Sequence, residues 1–162
     1  MTVVRGDAAR HFIARTRAKH VEHVSKQRVA AWTTSLDLPT PAVDSGQVSA
    51  FVRTQLGLRN LSERCDDTAL VAHELVTNAL EHGRAPVQLR VSELGDGQLL
   101  VEVSDAAPVS LELTVALHVG HAPLGTDDQG RGLEIIGLLA SSWGVRVHPH
   151  GKCVWAILEQ ES

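Results

Sequence analysis

From Trp32 onward the chain switches repeatedly between period-two and helical runs of apolar residues. In WTTSLDLP, Leu36 and Leu38 alternate with polar residues and the run stops at Pro39, the pattern of a strand at a sheet edge. Over 43–57 the positions Val48, Phe51, Val52 and Leu56 recur at helical spacing, and Gly57 closes the run. A second helix is predicted over 62–82. Ser62 would be its N-cap, Glu63, Asp66 and Asp67 would suit the helix dipole, and Gly83 would be its stop. Residues 86–94 and 98–104 alternate again around Gly95-Asp96-Gly97, which reads as a hairpin whose second strand delivers Asp105. From 106 to 129 the pattern breaks up among Pro108, Gly120, Pro123 and Gly125, and LELTVALHV within it suits either a short helix or a strand. A loop of that length in a compact domain is more often functional than incidental. Glycines at 130 and 132 then lead into a helix over 132–141, and VRVHP and KCVWAILEQ read as two closing strands.

Composition changes this picture in three ways. At 43% hydrophobic but only 3% aromatic, the core must be aliphatic. No apolar run approaches the roughly 20 residues of a membrane span, and two cysteines without a CxxC motif or an apolar leader point to reduced thiols in a cytoplasm. Charge is uneven: residues 1–30 hold seven Lys/Arg and two acids, net +5, and the remainder holds eight basic and 17 acidic residues, net −9. Residues 1–31 therefore read as a basic arm, a solvated tail or a partner-contacting segment, ahead of a domain over 32–162. With so few aromatics, stacking on nucleic acid is not favoured.

Familiar chemical motifs fail on inspection. HELVT begins like a zinc-protease helix, but Thr77 stands where HExxH needs its second histidine. GHAPLGTD lacks the lysine of a phosphate-binding loop, and GRGLEI lacks the third glycine of a dinucleotide fingerprint. Three other features agree with one another. Glu74 and Asn78 lie four apart on one helical stripe beside apolar neighbours; an amide oxygen is a hard ligand suited to Mg²⁺, and a carboxylate one turn away can take a proton from a nucleophile. Asp105 ends a strand, and an ionised carboxylate, which only accepts, suits an exocyclic amino group. Gly130, Arg131 and Gly132 open a helix whose free N–H groups favour an anion.

The stretches ELVTNALEHG (74–83), VSDAAP (103–108), GRGLEIIGLLASSWGV (130–145) and GKCVWAIL (151–158) together resemble the histidine-kinase-like ATPase group, the GHKL or Bergerat-fold family. Within it, the chain is most similar to small bacterial anti-sigma-factor serine kinases and related ATP-binding regulators. The resemblance covers roughly residues 32–160. It implies an α/β two-layer sandwich, a mixed and mostly antiparallel sheet with helices 43–57, 62–82 and 132–141 on one face.

It also implies ATP and Mg²⁺ as ligands. Asn78 would hold the metal, Glu74 would be the general base, and Asp105 would bind the adenine amine. Residues 106–129 would form a lid beginning at Pro108, and Gly130, Arg131, Gly132 and Leu133 would border the phosphates. His82 would stand at the pocket rim and Cys153 near the base, where relatives often carry a hydroxyl. Partners would be a sigma factor, an antagonist protein and a second copy of the chain, with no membrane. The implied activity is transfer of the γ-phosphoryl group to a serine of the antagonist. The alternative is a non-catalytic module of the same fold that sequesters a sigma factor or another transcriptional regulator. Ala107 departs from the Asp-x-Gly pattern of many relatives, and Cys153 from their hydroxyl; both would weaken ATP binding rather than alter the fold.

Overall fold

The computed structural model describes residues 30–39, 45–108 and 131–159. Strand β1 spans Ala30–Leu38, helix α1 Ser45–Gly57 and helix α2 Cys65–His82, the last preceded by a single 3₁₀ turn at Ser62–Arg64. Strands β2 (Val87–Leu94) and β3 (Leu99–Asp105) follow. Helix α3 (Arg131–Leu139) and strands β4 (Ser142–His148) and β5 (Gly151–Leu158) complete the described chain. Expectations placed on the arm before Ala30 and on the lid from 109 to 130, Gly130 included, lie outside the described residues.

The five strands form one sheet in the order β1-β2-β3-β5-β4. Every pairing is antiparallel, so the expected mixed sheet is wholly antiparallel among the described residues. β1 lies at the edge, as Pro39 directly after it suggests. β5 inserts between β3 and β4, and this crossover brings two segments 47 residues apart side by side: Asp105 stands directly opposite Lys152.

The period of two sorts each strand. Leu89, Val91, Val101, Val103, Ala156 and Leu158 face the helices and join Val48, Val52, Leu56, Val71, Leu75 and Val76 in one aliphatic core. The far face carries a smaller cluster of Leu94, Trp155 and Ile157, and beside it the Arg146–Glu102 ion pair. This is the two-layer α/β arrangement, with its principal core on the helical side.

Helix α2 runs through that core. Its buried residues Thr68, Val71, Ala72, Leu75, Val76 and Ala79 follow the three- and four-residue spacing of one face. Ser62 does not cap it: the 3₁₀ turn intervenes, Arg64 takes the preceding position, and no side chain caps the helix start. Arg64 instead ties the turn to the sheet by donating from Nη2 to the carbonyls of Leu158 (2.9 Å) and Glu159 (3.1 Å). Leu75 is 1% exposed at the centre of the helix. Leu75→Ala is expected to lower stability by about 2–5 kcal/mol, through lost burial and the cavity left behind; a urea titration checks this.

Candidate functional site

The middle of α2 presents Glu74 and Asn78, half-buried and one turn apart, toward the start of α3. Gly132 is what brings the two helices this close. A Cβ at Gly132 would stand 2.8 Å from Glu74 Oε2, and 3.6 and 3.7 Å from Asn78 Oδ1 and Nδ2. No side chain can fill that space without displacing the carboxylate. The N-terminus of α3, with its first-turn N–H groups free of helical partners, therefore abuts the acid–amide pair. Helix α3 begins at Arg131; its backbone is thus in place at 131–133, and the side chains of Arg131 and Leu133 lie outside the described part.

The other end of the site is built around Asp105. Gly83, just past α2, would carry a Cβ 2.2 Å from the Ala79 carbonyl oxygen and 2.8 Å from Asp105 Cγ. The glycine is therefore not the left-handed cap that a helix stop suggests, since its φ is −96°. It is needed because a Cβ would run into the Ala79 carbonyl and, beside it, the carboxyl group of Asp105. From Glu74 to Gly83 the helix advances by roughly 13 Å. The acid–amide pair and Asp105 thus lie at two ends of an extended site along one helix.

The Asp105 side chain is 1% exposed. Its Oδ1 accepts from the Ala107 backbone N–H and from Lys152 Nζ, each at 2.8 Å. Its Oδ2 is buried and lies 2.8 Å from the same Lys152 Nζ, which pairs with the carboxylate through both oxygens. Ala107 is not held in a left-handed conformation: Asn60 is the only non-glycine residue with positive φ among the described residues. The Asp105–Ala107 turn thus needs no left-handed residue, and its buried alanine supplies the N–H that fixes the carboxylate.

Two expected site residues need correction or qualification. Cys153 does not lie near Asp105. It is the Cα partner of Ser104, one position out of step with the Asp105–Lys152 pair, so it faces the opposite side of the sheet. There its Sγ lies 3.9 Å from Arg146 Nη2, and burial pushes its thiol above its ordinary value, which keeps it protonated and unreactive. The residue that faces Asp105 is Lys152, which the sequence reading missed. His82 ends α2 half-exposed, with Nε2 3.7 Å from Glu81 Oε2. Pro108 is exposed at the end of the described segment.

A family model for the histidine kinase-like ATPase domain matches residues 8–158, nearly the whole chain. The chain belongs to the histidine kinase-like ATPase family. The observed sandwich is the fold expected of such a domain, and membership makes it a domain of an ATP-binding type. The chain is also similar to the histidine kinase domain of the blue-light-activated histidine kinase of Erythrobacter litoralis EL346, at 14% identity and a TM-score of 0.46. That match covers 93% of this chain and 73% of the kinase domain. No curated protein matches it.

The residues present fit a nucleotide with its metal. Asp105, an ionised acceptor at the end of β3, is the group that would take an adenine amine. Gly132 lets the α3 N-terminus, whose free N–H groups suit phosphate oxygens, come up against Asn78 and Glu74. Among the described residues no three or more His, Cys, Asp or Glu converge as a metal cage. Mg²⁺ held through Asn78 would complete its shell with phosphate oxygens and water, as this ion commonly does. Among the described residues no helix is long and apolar enough to cross a membrane.

Proposed function

We propose that this family member is an ATP-binding regulator of the anti-sigma-factor type, which transfers the γ-phosphoryl group of ATP to a serine of an antagonist protein. The observation that carries the reading is the convergence of Glu74, Asn78 and Gly132. It brings the side chains proposed as base and metal ligand up against the first turn of α3, whose N–H groups would suit an anion.

In this reading Asn78 would hold Mg²⁺, which would neutralise charge on the phosphates. The α3 N-terminus, from Arg131 to Leu133, receives the oxygens of the group in transit. Glu74 accepts the proton of the serine hydroxyl as its oxygen bonds to phosphorus; the bond from phosphorus to the β,γ-bridging oxygen breaks and ADP leaves. Phosphoryl transfer asks a protein mainly for positioning and electrostatic stabilisation, and fixed backbone donors on rigid helices supply both. The basic arm, residues 1–31, and a second copy of the chain are proposed contacts in such a regulatory complex, alongside the sigma factor.

Glu74→Gln tests the catalytic half of this proposal. The amide keeps the shape of the side chain but takes no proton. ATP affinity is expected to stay within about threefold, while γ-phosphate release or transfer falls by roughly 10²–10⁴-fold. The check is nucleotide titration beside a radiolabelled phosphate assay. Full turnover by the variant would remove Glu74 from the base role. A wild-type chain that binds ATP and a sigma factor but transfers no phosphate would favour the sequestering module.

A further inference from the structure

We infer that residues 1–29 dock on the chain's own sheet, across the face opposite the helices, and cover the cluster of Leu94, Leu100, Trp155 and Ile157. The inference is independent of the nucleotide reading.

An antiparallel sheet with helices on one side only alternates along each strand, apolar toward the helices and polar toward water. β1 alternates in this way. β5 does not: seven of its eight residues are buried, on both faces alike. On the far face Trp155 is 4% exposed and Ile157 7%. Tryptophan is rarely buried so completely, and neighbours in a pleated sheet flank a side chain without roofing it. The far-face cluster consists of strand residues alone, while the helices pack into the core on the other side. Among the described residues, then, no element covers Trp155. Its burial arises within a single chain, so the cover belongs to this chain and not to a second copy.

The strand register shows where the cover lies. Ser92, Ile157 and Ser142 share one row across the far face, next to Leu94, and all three are buried. Asp37 and Ser104 share a row beside Asp105, and both are exposed. Burial therefore deepens toward the end of the sheet where Ala30 pairs with Leu94. Residues 1–29 join the sheet at that end. Segments 40–44 and 109–130 leave β1 and β3 at the opposite end. Segment 160–162 reaches at most about 10 Å. Residues 1–29 span about 40 Å even at helical rise, against roughly 20 Å across five strands. They bring Phe12, Ile13, Val21, Val24 and Val29 as apolar groups. The family match begins at residue 8, so it takes most of this segment into the domain.

The test is paramagnetic relaxation in the full isotope-labelled chain, with a nitroxide attached at Ser35→Cys or at Leu70→Cys. Ser35 is exposed on the far face, in the row of Trp155. Leu70 is exposed on α2, in the helical layer. Cys65 and Cys153 are buried and stay unlabelled in the folded chain. The label at position 35 is expected to remove most of the amide signal of residues 8–25, and the label at position 70 to leave it unchanged. Loss from the label at 70 alone, equal loss from both, or loss from neither would overturn the inference. So would loss seen only when spin-labelled chains without isotope are mixed with isotope-labelled chains without nitroxide. The arm would then lie on a second copy.

Discussion

Asn78→Ala is expected to abolish Mg²⁺-dependent ATP binding, weakening it by more than about 100-fold. Loss of a residue that merely orients a metal ligand commonly weakens metal sites by about 10–100-fold, and here the ligand itself is lost. Among the described residues no cluster of acids or histidines stands ready to substitute. Asn78 is half-buried on a helix whose other faces carry the core, so the truncation leaves the fold intact. The thermal midpoint without nucleotide should therefore barely move, while the stabilisation that Mg-ATP gives to wild type should vanish. Unchanged Mg-ATP affinity in a folded variant would remove Asn78 from the metal role.

Gly151→Ala is expected to be among the most damaging single substitutions in the sheet. A Cβ there would lie 2.0 Å from the Asp105 carbonyl oxygen and 3.0 Å from Ala106 Cα. Both obstacles are backbone, so no side chain can swing aside; β3 and β5 would have to part where Asp105 meets Lys152. Overpacking of this kind costs about 3 kcal/mol or more, roughly 10 °C in Tm for a chain of this size. Because the strain falls on Asp105, nucleotide affinity should drop as well, even at temperatures where the variant is folded. Thermal melts with and without ATP check both effects. A variant within about 1 kcal/mol of wild type would show that β3 and β5 can separate at this point at little cost.

Much of the architecture was legible because burial imposes short periods. Val48, Val52 and Leu56 marked α1, and the alternation of Val87, Leu89 and Val91 marked β2, since in each a single face meets the core. Glu74 and Asn78 were visible as a polar stripe in an apolar helix. Their meeting with Gly132 was not, because it depends on how α3 packs against α2 rather than on spacing along either.

Lys152 escaped for a similar reason. Its significance lies in a register between strands 47 residues apart, and a slip of one residue would have put Cys153 opposite Asp105 instead. The family pattern pointed to the right end of β5 and to the wrong face of it. Gly83 was identified as a stop for its conformational freedom, whereas its actual constraint is space: a Cβ would meet the Ala79 carbonyl and the Asp105 carboxyl. Ser62 read as a cap because serine before acidic residues often is one; the 3₁₀ turn displaced it by a few residues. In each case the local chemistry was readable, and the missing information was which distant segment lay against it.

In the proposed function this sandwich holds a nucleotide through Mg²⁺ between α2, α3 and Asp105. The most direct test is calorimetric titration of the purified chain with ATP, in Mg²⁺ and again in excess chelator. Saturable one-site binding that requires Mg²⁺ is the predicted result. A folded chain that gives no binding at millimolar ATP with Mg²⁺ present would contradict it.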